Sequence, residues 1–109
     1  MAELIREEER IMKTEITTVT VVGAGTMGVK IAAHALISGF TVRIYNIRPA
    51  TLENAKIKVP AEIEACRQAG LAKEDPETIL QRISYFTDLE KAVADADLII
   101  ETIPEKLSR

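Results

Sequence analysis

The residues with the most chemical content are six in a row, Gly23-Ala24-Gly25-Thr26-Met27-Gly28. Glycines at this G-x-G-x-x-G spacing bring bare backbone N–H groups up to an anion, a pyrophosphate above all. Each glycine has its own task. Gly23 permits a tight exit from a strand, Gly25 has no side chain to hold a pyrophosphate off the backbone, and Gly28 lets a helix pack closely on that strand. The anion sits at the helix N-terminus, where unpaired N–H groups and the helix dipole both favour negative charge.

The other reactive side chains are single. His34 is the one histidine and Cys66 the one cysteine. His34 falls about two turns into the helix after the loop, which makes it an exposed or satisfied helix residue in preference to a catalytic base. One histidine cannot assemble a His-based triad or a metal site without partners, and no metal is expected. One cysteine excludes a disulfide framework and a cysteine-ligated zinc site within the chain. Cys66 reads as a packed or half-exposed helix residue, a reactive thiol being the alternative, and the setting as reducing and cytoplasmic.

The loop needs a strand before it and a helix after it, and the sequence supplies both. Ile16 to Val22 is a β-branched run with Val19 and Val21 on one face and Thr18, Thr20 and Val22 on the other. Val29 to Ser38 is an alanine-rich helix with Ile31, Ala32, Ala35 and Leu36 at helical spacing, closed by Gly39. Thr41 to Tyr45 is a second strand. Pro49 opens a helical stretch that Pro60 interrupts, so two pieces, Thr51 to Lys58 and Ala61 to Ala69, or one kinked helix are expected before Gly70. Asp75-Pro76 starts a helix through Arg82, and Ile83 to Phe86 is the third strand. Thr87 and Glu90 form a T-x-x-E capping box for a helix through Val93. Asp97 precedes a fourth strand, Leu98 to Ile103, stopped by Pro104.

Strands and helices that alternate in this way predict an α/β, Rossmann-type doubly wound parallel sheet, cut off after the fourth strand. The domain organisation is a charged N-terminal extension, residues 1–15, followed by an incomplete dinucleotide-binding domain, residues 16–109. In the extension Leu4, Ile5, Ile11 and Met12 could form a narrow apolar seam for a partner chain or belong to a frayed tail. With 109 residues there is no room for a two-domain enzyme. A composition of 47% apolar and 28% charged residues is that of a soluble globular protein, and a net charge of −3 argues against a nucleic-acid partner. No apolar run is long enough to span a membrane, and the glutamate-rich start is no export signal.

A dinucleotide fold places an acidic residue at the end of the second strand to accept the adenosine ribose hydroxyls. Here that position is Asn46, which can accept a hydrogen bond but lacks the charged, bidentate grip of a carboxylate. Arg48 follows two residues on, and Arg43 lies in the strand. Asn followed by Arg would tolerate a 2′-phosphate, so NADP competes with NAD at this site. The other reading of Asn46 is a mild loss within an NAD site.

The stretch VVGAGTMGVKIAAHALISGFTV from Val21, with Ile44-Tyr45-Asn46, resembles the N-terminal domain of the 3-hydroxyacyl-CoA dehydrogenases. So do Thr87-Asp88-Leu89-Glu90 and the run ADADLIIETIPE from Ala94 to Glu105, and the resemblance spans residues 16–109. The long segment between Asn46 and Ile83 is similar to the helical excursion of these enzymes. The resemblance implies NAD-dependent oxidation of an L-3-hydroxyacyl-CoA to the 3-ketoacyl-CoA. It implies that Gly23, Ala24, Gly25, Thr26, Met27 and Gly28 hold the pyrophosphate, with Asn46 and Arg48 at the ribose. It places Thr102, Ile103 and Glu105 on the nicotinamide side. The histidine base of the family, its orienting glutamate and its helical C-terminal domain lie beyond the fourth strand, so no catalytic residue is expected in this chain. Acyl-CoA would be met through that missing domain, and the fourth strand would be an exposed apolar edge prone to self-association, giving a homo-oligomer or a fragment of a larger chain. The alternatives are a stand-alone dinucleotide-binding module without catalysis and a relic that no longer binds.

Overall fold

The structure, a computed structural model, describes residues 16–102. The N-terminal seam, Ile103, Pro104 and Glu105 lie outside the described residues. Four strands, β1 (Thr18–Val22), β2 (Thr41–Tyr45), β3 (Ile83–Phe86) and β4 (Leu98–Glu101), form one parallel sheet in the order β3-β2-β1-β4. Val19 pairs with Val42 on one side and Leu98 on the other, and Val21 pairs with Ile44 and Ile100. The order reverses between β1 and β4, the point at which doubly wound sheets open a crevice at their carboxyl ends.

Helices cover both faces. The alternating Val19, Val21, Val42 and Ile44 are buried in one core with Ala32, Ala33 and Leu36 of α1 (Thr26–Ile37) and Leu52, Ala55, Val59 and Ile63 of α2 (Pro49–Gln68). The small Ala32 and Ala33 let α1 approach the sheet closely. Ile79 of the short α3 (Pro76–Leu80) closes that core. On the opposite face, Thr20 and Arg43, paired across β1 and β2, hold α4 (Leu89–Val93) by its carbonyls. The buried Thr20 hydroxyl donates to Ala92 O at 2.5 Å, and the Arg43 guanidinium donates to Ala92 O at 3.1 Å and also to Ala94 O. The hydroxyl and guanidinium satisfy carbonyls at the end of a helix too short to satisfy its own.

Pro60 does not divide its helix. Residues 49–68 form one α-helix, which of the two expectations excludes the two separate pieces. Proline removes the donor to the carbonyl four residues back, here that of Lys56, which is an exposed residue open to water. Val59 and Ile63, fully buried on either side, hold the helix together through packing. The Thr87 capping box is also corrected. Asp88 is the cap, its Oδ1 accepting the Lys91 N–H at 3.2 Å, so helix α4 starts one residue later. Asp75 occupies the N-cap position of α3 as expected, with Pro76 in the first turn, but its carboxylate accepts the Thr78 hydroxyl at 3.1 Å and caps no backbone N–H.

Candidate functional site

The glycine loop connects β1 to α1 at the carboxyl end of the sheet, and Thr26 already begins the helix, three residues before the sequence suggested. The first α-helical bond runs from Val29 N–H to Gly25 O at 2.9 Å, so the N–H groups ahead of it have no partner within the helix. No side chain caps them, and no acidic residue stands in the first turn. This end of α1 is therefore electropositive and open, the condition for an anion.

The three glycines differ. Gly23 has φ +112°, a conformation that L side chains rarely adopt, and a Cβ there would lie 2.4 Å from Thr102 Oγ1. A Cβ on Gly28 would lie 1.9 Å from the Gly23 carbonyl oxygen, a backbone atom with no freedom to step aside. These two are glycines because the strand and helix leave no room. Gly25 is the opposite case. Its φ of −77° suits any residue, and nothing lies within 4 Å of where its Cβ would be. The fold gives no reason for a glycine at that position, whereas a ligand resting on its backbone does.

Two strand ends lock the loop. Thr102, just past β4, donates its N–H to Val22 O at 2.9 Å, and its hydroxyl lies 3.1 Å from Val22 O and 3.2 Å from Gly23 O. Asn46, just past β2, accepts the Ala24 N–H on Oδ1 at 3.0 Å. The donor is a backbone N–H, so the oxygen and not the amide nitrogen of Asn46 must face it. Sequence reasoning pointed that oxygen at a ribose; the structure engages it with the loop. Its Nδ2 makes no hydrogen bond among the described residues and is the group left to a ligand. Arg43, in the preceding strand, is committed to the carbonyls of Ala92 and Ala94 on the sheet face. Arg48 is exposed and stands at the N-cap position just before α2, close to Asn46 in the chain. Met27 is 63% exposed beside the loop, an apolar surface of the kind that borders a ligand.

A parallel sheet with this strand order and an uncapped, glycine-lined helix N-terminus at its switch point is a Rossmann-type dinucleotide-binding domain. The description 3-hydroxyacyl-CoA dehydrogenase, NAD binding domain, matches residues 18–109, and the chain belongs to that family. It is 38% identical over 85 residues to a probable 3-hydroxybutyryl-CoA dehydrogenase of Deinococcus radiodurans, covering 78% of this chain and 30% of that protein. It is 37% identical over 97 residues to the 3-hydroxyadipyl-CoA dehydrogenase of Escherichia coli K12, covering 88% of this chain and 20% of that protein. Among solved structures, 3-hydroxybutyryl-CoA dehydrogenase from Escherichia coli K12 superposes with a TM-score of 0.73 at 35% identity, over 86% of this chain and 20% of that one. A diketoreductase superposes with a TM-score of 0.76 at 39% identity, over 85% of this chain and 34% of that one. The chain thus spans about a third or less of the length of these relatives.

Family membership implies a nicotinamide dinucleotide, and the loop fits one: a bare backbone at Gly25, free N–H groups at α1 and a donor amide at Asn46. No described helix is long and apolar enough to cross a membrane.

Proposed function

We propose that the chain is the cofactor-binding part of a cytoplasmic dehydrogenase that oxidises L-3-hydroxyacyl-CoA to 3-ketoacyl-CoA in fatty acid metabolism. The observation that carries this reading is Gly25, a glycine with ordinary backbone angles in open space at an uncapped helix N-terminus. The N–H groups of the loop and first turn bind the pyrophosphate, with Gly25 giving the closest approach. Asn46 Nδ2 and Arg48 meet the adenosine ribose. Thr102, Ile103 and Glu105 flank the nicotinamide, and Thr102 has a second role in fixing the loop's height above the sheet. When bound, NAD accepts the hydride from the carbinol carbon.

Asn46 favours a second reading of the cofactor. Without a carboxylate at that position, no fixed charge repels a 2′-phosphate, and the free amide and Arg48 are both donors. NADP therefore competes with NAD. Calorimetric titration of the chain with each cofactor tests both readings: affinities within about tenfold, or 1.4 kcal/mol, support competition. NAD more than tenfold tighter removes the NADP reading, and binding of neither removes the dinucleotide site. Turnover of acetoacetyl-CoA by the chain alone would place the base within it.

The partner reading follows from β4, an edge strand among the described residues with Leu98 40% and Ile99 47% exposed. Two chains self-associate through this edge. Sedimentation velocity should show dimers that Ile99→Lys disperses; a monomer at all concentrations contradicts it.

A further inference from the structure

Away from the glycine loop, three side chains that the cofactor does not use come together on the seam between α1 and α2. His34 of α1 meets Glu62 and Cys66, one turn apart on α2, with their ligand atoms all within 4.8 Å of one another. Sequence reasoning kept these residues apart and expected no metal, because α1 and α2 are joined only by the fold. His34 is exposed, Glu62 half-buried and Cys66 buried, so the set runs from the surface into the seam. The i, i+4 spacing of Glu62 and Cys66 puts both on one face of the helix, as it does for the two histidines of helical zinc sites.

We propose that His34, Glu62 and Cys66 bind a borderline-soft divalent metal ion, Zn²⁺ foremost, which pins α1 to α2. Imidazole nitrogen, carboxylate oxygen and thiolate sulfur are each ordinary zinc ligands, at about 2.0–2.3 Å. Tetrahedral ligands at those lengths stand about 3.3–3.7 Å apart, so the cluster closes on an ion by roughly 1 Å of side-chain rotation. Binding releases the Cys66 thiol proton to solvent, and one thiolate, one carboxylate and a neutral imidazole then balance the ion's charge. The thiolate selects against Mg²⁺ and Ca²⁺, which prefer oxygen shells. His34 lies in the last turn of α1, where the helix dipole favours a cation. Water reaches the set from the side of the exposed His34 and completes the coordination as fourth ligand. The site is independent of the dinucleotide reading.

Titration of the untagged full chain with Co²⁺ tests it. The expected result is one Co²⁺ per chain with a thiolate-to-cobalt charge-transfer band, bleached by one equivalent of Zn²⁺. His34→Gln and Glu62→Gln should each lower affinity about tenfold or more, since even partners outside the coordination shell cost that much. Cys66→Ser should abolish the band; if this buried change unfolds the chain by circular dichroism, the exposed His34→Gln decides. Zn²⁺ should raise the melting temperature of the native chain and not that of His34→Gln. Absence of the charge-transfer band, or equal Zn²⁺ affinity in the native chain and the His34→Gln and Glu62→Gln variants, overturns the proposal.

Discussion

The two ends of the sheet are held by side-chain clasps of different charge. At the carboxyl end, the neutral Asn46 amide oxygen accepts the Ala24 N–H at 3.0 Å. At the amino end, the Asp97 carboxylate accepts the Thr17 N–H at 3.0 Å, the Thr18 N–H at 2.9 Å and the Thr17 hydroxyl at 2.9 Å. Those three donors, the two backbone N–H groups first, hold the Asp97 carboxyl below its usual pKa. Both clasps tie a loop to a neighbouring strand end, but only one is next to the uncapped N-terminus of α1. The length of β1 separates them by about 15 Å, beyond the Debye length in physiological salt. The charged clasp thus lies at the far end of the sheet from the uncapped N-terminus of α1, and the neutral one lies beside it.

Substitutions can break that comparison, and the largest effect is expected in the loop itself. Gly28→Ala drives a Cβ into the Gly23 carbonyl and should cost about 3 kcal/mol in urea unfolding. Gly25→Ala should leave the unfolding midpoint unchanged and weaken cofactor binding roughly tenfold or more, about 1.4 kcal/mol. If Gly25→Ala bound normally, no ligand would rest on that backbone. Next comes an exchange of clasp charge. Asn46→Asp keeps an acceptor for Ala24 and adds a carboxylate, so calorimetry should show the NAD:NADP affinity ratio rising roughly tenfold, from a charge interaction of about 1–4 kcal/mol at close range. An unchanged ratio would mean that position 46 does not meet the ribose.

The smallest effect belongs to the exposed amino-end clasp. The carboxyl of Asp97 has a lowered folded-state pKa, so its stabilisation is complete above the ordinary carboxylate pKa and is lost as pH falls through the folded value. Thermal melts of the native chain should therefore lose more on acidification than those of Asp97→Asn. Added salt should narrow the gap at neutral pH, because exposed charges are screened. Parallel pH curves for the two proteins would show that the clasp contributes nothing as a charge.

Much of this was legible from residue types. The alternation of strands and helices and the two packed glycines follow from β-branched runs, turn residues and a motif whose spacing has a steric reason. Gly23 and Gly28 behave as read. Pro60 misled because local chemistry predicts a break, while burial of Val59 and Ile63 on either side sustains the helix. Thr87 misled because two adjacent residues could cap α4, and only the backbone path selects Asp88. Asn46 was placed correctly at the end of β2, but its partner Ala24 is on another strand's loop, a pairing no local pattern encodes. The same holds for His34, Glu62 and Cys66, which are brought together by the packing of α1 on α2.

The Ala24–Asn46 bond has a consequence at the level of the gene. Codons for Asn and Asp differ by one base, and both side chains present the oxygen that holds the loop. A single nucleotide change at position 46 would add a charge beside the glycine loop while keeping the acceptor that holds Ala24. If the proposed ribose contact holds, the two cofactor preferences are one mutational step apart, with the loop's scaffold common to both.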